Sequence, residues 1–245
     1  MEHEIWLTRV FNQYLSGPAN SILGLVGMAP QKDPWTNWMV MQIVVVLLLM
    51  LVFAILRGRL SVDRPGKFQQ TFELIYEFVR SQTEDNIGHQ GLRYLYFFGT
   101  LFILILPANL IGLIPGLESP TMYPYVTVGC AVATFFFYHA AGIQANGLWR
   151  HVKHFAGDVW WLAPLMVLIE IVSHLARPLS LSLRLYANMY AGEAVTNVFL
   201  HLTYLIFPAV FMGLHLFVGV LQAYIFMVLT MIYVQMSLPE PGHEH

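Results

Sequence analysis

Three stretches of this sequence each run for about twenty residues without an Asp, Glu, Lys or Arg, at 38–56, 94–117 and 126–142. An α-helix rises about 1.5 Å per residue and needs about 20 apolar residues to cross the roughly 30 Å hydrocarbon core of a bilayer. The chain is also 57% hydrophobic and only 11% charged, too little polar surface to cover a water-soluble globule. The sequence therefore predicts an all-α protein that crosses the membrane several times.

The chain after residue 159 is again mostly apolar, but it carries ionisable side chains. Loop signals around Phe207 and Pro208 divide this region into two long segments. We expect them to form long, tilted helices that fold back on each other as a hairpin. The prediction is thus five to six hydrophobic segments, in a single membrane domain at 38–238 between an N-terminal segment at 1–37 and a tail at 239–245.

The distribution of Lys and Arg predicts the orientation, because cytoplasmic segments are enriched in both. Six of these residues lie between 57 and 93, whereas only Arg9 and Lys32 precede the first span. With five spans, the N-terminal segment is then outside and the C-terminal tail is cytoplasmic. Within the first cytoplasmic segment, at about 66–80, Phe68, Ile75 and Val79 recur at helical spacing, which predicts an amphipathic helix lying on the membrane.

Polar and charged side chains recur at steps of three and four in the fourth predicted span. They are Glu170, Ser173, His174, Arg177, Ser180, Arg184 and Asn188. Residues at these steps share one face of a helix. Glu193 follows Arg184 by nine residues, and at about 100° per residue it points to the opposite side. An Arg at mid-bilayer costs about 2.5–3.5 kcal/mol on insertion scales, so such residues persist mainly where they face protein or water, and they are functional candidates.

Two polar residues of the last segment, His215 and Gln222, are seven positions apart and share a helix face. When this helix folds back, His215 can meet Glu193 in one polar pocket, where an imidazole and a carboxyl can exchange protons near neutral pH. Asn109, inside the second span, is a further polar candidate.

Each candidate also has a structural interpretation. Arg177 can snorkel or pair with Glu170, Glu193 can be a buried ion-pair partner, and His215 can be a satisfied core histidine. Hydrogen-bonding between helices is the alternative role of Ser173, His174, Ser180, Gln222 and Asn109. A purely structural role is hardest to assign to Arg184, which lies deeper than Arg177 between Leu183 and Leu185.

Several functional classes lack support. No His-Glu-x-x-His, Gly-x-Ser-x-Gly or Gly-x-x-x-x-Gly-Lys-Ser/Thr string occurs, so the sequence predicts no active site, no metal and no cofactor on this chain. A net charge of −2 gives no reason to expect nucleic acid, and Cys130 is the single cysteine, which excludes a disulfide within the chain.

The string from Arg177 to Glu193, RPLSLSLRLYANMYAGE, resembles the signature of subunit a of the rotary (F-type) ATP synthase of bacteria. Further segments at 63–67, 109–116, 164–173 and 221–230 resemble segments of that family in the same order, so that the resemblance covers about 62–235. One departure is Ala187, which stands where many members carry glycine and adds a methyl group beside the rotor contact.

The resemblance implies a non-catalytic, proton-conducting stator in the bacterial inner membrane, with two offset half-channels. Its expected partners are a ring of c subunits, the b-subunit peripheral stalk, the remainder of the synthase and the lipid bilayer. Arg184 would be the essential gating arginine that faces the ring. Glu193, His215 and Gln222 would form the path from the outside, with Asn188 near the arginine, and Glu170, Ser173 and Ser180 would lie toward the exit; Asn109 is added to the proton path. The choice of proton over sodium depends in this family largely on the ring.

A stand-alone proton-coupled transporter or channel is the alternative. Such a protein is expected to show inverted repeats or broken helices in corresponding halves, and the sequence has neither. A purely structural scaffold has no use for Arg184 and Glu193 on opposite faces of one helix.

Overall fold

The computed structural model describes residues 5–25, 29, 32–61, 65–114, 116–147, 163–202 and 206–238. This part of the chain forms seven α-helices and contains no strand. They are α1 (Trp6–Leu25), α2 (Asn37–Gly58), α3 (Lys67–Ile87), α4 (Leu95–Leu110), α5 (Pro124–Asn146), α6 (Ala163–Leu202) and α7 (Ile206–Ser237). Short 3₁₀ turns precede α4 at His89–Tyr94, follow it at Ile111–Leu113, and lie in the loop before α5 at Pro120–Met122.

Five of these helices are long and apolar enough to cross a membrane: α2, α4 with its flanking turns, α5, α6 and α7. The prediction of an all-helical protein with several membrane spans is therefore confirmed. The second span covers His89–Leu113, where 94–117 was predicted, and the first and third extend past both of their predicted ends by a few residues.

The last two helices form the predicted pair. Gly192 of α6 lies against His215 of α7, and Arg177, earlier in α6, lies over the ring of Tyr233, later in α7. The two helices therefore run antiparallel. With 40 and 32 residues they are about 60 Å and 48 Å long, well above the roughly 30 Å of a hydrocarbon core. Helices of this length fit a bilayer by tilting.

The core lies where α4, α5 and α6 meet α7. One face of α7 is fully buried through residues spaced by three and four, namely Ala223, Phe226, Met227, Thr230, Met231 and Val234. Against it pack Phe98 of α4, Tyr138 of α5 and Leu185 of α6. This close-packed contact fixes the depth at which the polar residues of α6 and α7 face each other.

Helix α3 packs on other helices through part of its apolar face. Val79 is buried, and the ring of Phe78 lies 5.8 Å from that of Tyr224. Gln82 accepts a hydrogen bond from the Tyr224 hydroxyl at 2.9 Å. The helix continues to Ile87, seven residues past the predicted end at 80, because its second half rests on α4 and α7.

A helix also forms in the N-terminal segment, where the sequence analysis assigned no structure. α1 is joined to the start of α2 by two hydrogen bonds between Asn12 and the backbone of Trp35, at 2.9 and 3.1 Å. The Trp35 indole donates to the carbonyl oxygen of Leu15 at 2.9 Å. These contacts stabilise a helix that contains Gly17 and Pro18, two residues that disfavour one.

Candidate proton path along helix α6

Arg184 lies near the middle of α6, on the boundary between a buried and an exposed face. The buried face carries Leu181, Leu185 and Met189, and the exposed face carries Leu183 and Tyr190. Arg184 itself is partly exposed. Glu193, nine residues or about two and a half turns further along α6, is 6% exposed, so it lies on the buried side of the helix.

The carboxyl of Glu193 is held in a buried site between α6 and the loop before α5. The backbone N–H of Ser119 donates to Glu193 Oε2 at 3.3 Å. Gly112 lies so close that a Cβ there would stand 3.3 Å from the same oxygen and 3.0 Å from the Ser119 nitrogen. The absence of a side chain at Gly112 therefore makes the room in which this carboxyl sits.

A chain of hydrogen bonds fixes the Ser119 loop to α4 and α7. The Ser119 hydroxyl donates to the carbonyl oxygen of Ala108 at 2.7 Å, and its oxygen lies 2.7 Å from the hydroxyl oxygen of Thr121. Thr121 donates to Asn109 Oδ1 at 2.7 Å, and Asn109 Nδ2 donates to the carbonyl oxygen of Gly219 at 2.9 Å. Asn109 is fully buried, so its position in the structure is that of a clamp between α4, the loop and α7.

His215 lies at the α6–α7 contact, against Gly192. Its ring packs on Gly192, where an added Cβ would come within 3.2 Å of the ring. The ring is 3% exposed, and its Nε2 has no hydrogen-bond partner within the described residues. The two helices thus bring His215 next to the residue that precedes Glu193, while Glu193 itself is hydrogen-bonded to Ser119.

Gln222 and Asn188 form the next polar contact toward Arg184. Asn188 Nδ2 donates to Gln222 Oε1 at 2.9 Å, and Asn188 is one helical turn after Arg184. Gln222 is 2% exposed, and its Nε2 is unpaired among the described residues. Together with His215, this gives two buried polar nitrogens in the described region without a partner, along one side of α7.

A second polar cluster lies on the other side of Arg184, toward the start of α6. The side chains of Glu170 and His174 are 3.1 Å apart, and His174 Nδ1 lies 2.8 Å from the hydroxyl of Tyr138 in α5. The guanidinium of Arg177 lies 5.5 Å from the ring centroid of Tyr233. Glu170 thus pairs with His174 in the structure, whereas a pair with Arg177 was one of the two structural roles that the sequence left open for that arginine.

The remaining predicted residues lie outside these contacts. Ser173 is partly exposed and Ser180 is exposed, and the bonds that hold the second cluster involve neither. Sequence reasoning missed Ser119, Thr121 and Tyr138. Ser119 and Thr121 flank Pro120 in the short segment between two predicted spans, and Tyr138 lies in an apolar run. No group of three or more His, Cys, Asp or Glu side chains that could hold a metal ion occurs in the part of the chain that the structure describes.

Residues 38–235 match the family model described as ATP synthase A chain. A protein of Solibacter usitatus named ATP synthase subunit a is 61% identical over 236 residues, which is 96% of this chain and 100% of that protein. A protein of the same name from Koribacter versatilis is 47% identical over 246 residues, covering all of both chains. A third, from Trichlorobacter lovleyi, is 36% identical over 94% of this chain and 97% of its own length.

Proposed function

Starting from the fact that the chain belongs to the ATP synthase subunit a family, we propose that it is the stator of a rotary proton path, with Arg184 facing a ring of c subunits. Membership makes the chain a multi-pass subunit of the membrane sector of ATP synthase with a role in proton translocation, in association with the rest of that complex. The proposal concerns how this chain does so: two half-channels reach the ring from opposite sides and do not join.

The observation that carries the proposal is the arrangement of polar residues along α6. Glu193 lies nine residues after Arg184, about 14 Å along the helix, and His174 lies ten residues before it, about 15 Å away. Each belongs to a hydrogen-bonded cluster of its own. Between the clusters, Leu181 and Leu185 are buried in the apolar core. Arg184 thus lies between the two clusters along α6, so an ion that moves along this helix from one cluster to the other passes it.

The cluster around Glu193 suits proton uptake from the outside. Glu193 is a buried carboxyl that can bind a proton, and the unpaired nitrogens of His215 and Gln222 are groups that water or a proton can satisfy. Asn188 continues this series to within a turn of Arg184. In this assignment Asn109 keeps the helices at the right separation.

The exposed face of α6 suits contact with the ring. Leu179 and Leu183 are 60% and 52% exposed, and Ala187 lies on the same face. Arg184 borders this face, so its guanidinium can meet a carboxylate that a neighbouring ring presents. In a contact zone of low dielectric constant, opposite charges attract far more strongly than in water, which draws a deprotonated ring carboxylate to Arg184 and repels free protons.

The orientation follows from the same assignment. The Glu193 cluster takes the outer position, with the N-terminal segment outside, and the Glu170 cluster takes the cytoplasmic position with the C-terminal tail at 239–245. Arg57, Lys67 and Arg80 then lie on the cytoplasmic side, as the positive-inside rule expects.

Cysteine cross-linking in the complete synthase tests the ring contact. A Leu183→Cys variant, made with Cys130→Ser, is expected to form a disulfide with a cysteine placed beside the ring carboxylate. Leu48→Cys is the matched control, because Leu48 of α2 is also exposed, at 45%, but lies on another helix. Cross-linking of Leu48→Cys with none from Leu183→Cys would show that α6 does not face the ring.

A further inference from the structure

We propose that His174 and Glu170 form a proton-holding pair at the cytoplasmic end of the path, and that Tyr138 orients the imidazole ring for this task. The inference rests on the proposed function, because it takes protons to pass the first part of α6. It goes further in assigning the proton to His174 and in adding Tyr138 of α5 to the path.

The three side chains form a series from the protein interior to the surface. Tyr138 is 1% exposed, and its hydroxyl lies 2.8 Å from His174 Nδ1. The side chain of His174 is 13% exposed, and its Nε2 lies 3.1 Å from Glu170 Oε1. Glu170 is 37% exposed at the other end. The imidazole thus joins a buried hydroxyl to a carboxyl group at the surface of the chain.

This arrangement leaves one ring nitrogen for proton exchange. A tyrosine oxygen can accept from Nδ1–H, which fixes the ring tautomer and directs the basic Nε2 at Glu170. A proton taken from water by the Glu170 carboxylate passes to Nε2 and gives an imidazolium that donates to both partners. On release the proton returns to the carboxyl, whose exposed end carries it to water. One proton is bound and released, and no other bond changes.

Titratable and charged groups of α5, α6 and α7 face this cluster. From α5, the ring of His139 lies 5.0 Å from that of His174, centre to centre. From α6, the guanidinium of Arg177 lies over the ring of Tyr233 of α7 and also within hydrogen-bonding reach of the Tyr138 hydroxyl. Glu170 is therefore the carboxylate that stabilises an imidazolium at His174, and the positive charge of Arg177 is placed on an aromatic face instead of on Glu170.

A purely structural role makes a different prediction. If the three residues only join α5 to α6 by hydrogen bonds, an amide at position 174 can replace the imidazole, because it also donates and accepts. If His174 holds a proton, the amide cannot replace it. His174→Gln therefore separates the two roles while keeping a polar side chain of similar reach.

The experiment measures ATP-driven proton pumping in inverted vesicles that carry the complete synthase, where protons enter from the cytoplasmic side. From about pH 6.5 to about pH 8.5 free protons become about 100-fold scarcer, so a proton-holding group matters most at the alkaline end. For His174→Gln we expect pumping within about twofold of wild type at the acidic end and at least about tenfold lower at the alkaline end, since positioned proton carriers contribute about 10²–10⁴-fold.

Three further variants complete the test. Tyr138→Phe keeps the ring but loses the hydroxyl, so its pumping at alkaline pH is expected to fall, but less than that of His174→Gln. His139→Gln is the matched control, because His139 is a neighbouring histidine outside the proposed pair, and it is expected to keep the wild-type profile. In His174→Ala, imidazole added on the cytoplasmic side is expected to restore alkaline pumping by occupying the vacated space.

If the pumping rate of His174→Gln is the same fraction of the wild-type rate at every pH, the inference is overturned. It is also overturned if imidazole does not rescue His174→Ala. Measuring an Arg184→Ala variant in parallel, in vesicles prepared in the same way, distinguishes failure of this inference from failure of the proposed function. If Arg184→Ala abolishes pumping while His174→Gln shows no alkaline loss, the proton-holding pair fails and the stator assignment stands. If Arg184→Ala pumps normally, the stator assignment itself fails.

Discussion

Replacing Gly112 by alanine tests whether the Glu193 site has the geometry described. The new Cβ would stand 3.0 Å from both Cβ and N of Ser119 and 3.3 Å from Glu193 Oε2, whereas ordinary contacts begin at 3.4 Å. Ser119 is fully buried, so it can yield only by moving the loop that carries it. A shift of about 0.4 Å takes the 3.3 Å hydrogen bond from the Ser119 N–H to the carboxyl beyond hydrogen-bonding range.

The expected cost is about 1–3 kcal/mol for overpacking and about 1 kcal/mol more for the lost hydrogen bond. Gly99→Ala is the matched control, because Gly99 lies inside α4 and a Cβ there meets nothing within 4 Å; a Gly-to-Ala change in a helix is stabilising by about 0.4–1 kcal/mol. Two measurements check the pair: how much of the chain stays in the synthase after heating, and ATP-driven pumping per assembled complex. We expect Gly112→Ala to lower both and Gly99→Ala to lower neither. Equal behaviour of the two variants would refute the close packing of Gly112, Ser119 and Glu193.

Three more expectations concern the path and its orientation. Glu193→Gln can still accept the Ser119 hydrogen bond but cannot release a proton, and His215→Ala removes an imidazole from the same path. Both variants should assemble, but their ATP-driven pumping should be about 10²-fold or more slower. Normal pumping in both would show that the two residues serve only in packing. Asn109→Ala removes two buried hydrogen bonds, which should destabilise the helix bundle by about 2–4 kcal/mol. The measurement is the loss of the chain from heated complexes, and unchanged heat resistance would contradict the clamp role. Cysteines at Lys32 and Lys67 should be labelled by an impermeant reagent from opposite sides of the membrane, Lys67 from the cytoplasm, and labelling from the same side would reverse the topology.

Much of the fold was predictable because lipid imposes a simple rule. A span must be apolar for about 20 residues, so the charge-free runs located α2, α4 and α5 to within a few residues. The helical period then placed Arg184 and Glu193 on different sides of α6. These inferences depend only on local sequence.

The features that the sequence did not reveal depend on distant contacts. α1 forms despite Gly17 and Pro18 because Asn12 and Trp35 join it to α2. Ser119 belongs to the Glu193 site only because a turn of α4 and a loop bring its N–H to α6, 74 positions away in the chain. Likewise Tyr138 meets His174 from a different helix, at a separation of 36 positions. No spacing along the chain encodes such contacts.

A lysine substitution distinguishes electrostatic gating by Arg184 from a role of this residue in packing alone. Arg184→Lys keeps a positive charge but not the planar, weakly hydrated guanidinium, and an ammonium loses its proton more readily on desolvation, so it should restore coupled turnover only poorly. A residue that only filled space or held helices together would be replaced by lysine with little loss. Proton pumping by Arg184→Lys at close to the wild-type rate would therefore count against electrostatic gating.

The most direct measurement is proton flux in vesicles that contain the synthase with Arg184→Ala, with assembly verified in parallel. Removing the fixed charge leaves a deprotonated ring carboxylate without its partner in a zone of low dielectric constant, so ATP-driven pumping should stop. The barrier between the two polar clusters should disappear with it, so a passive proton leak should appear that wild type lacks. An assembled Arg184→Ala complex that still pumps and does not leak would contradict the stator mechanism at its centre.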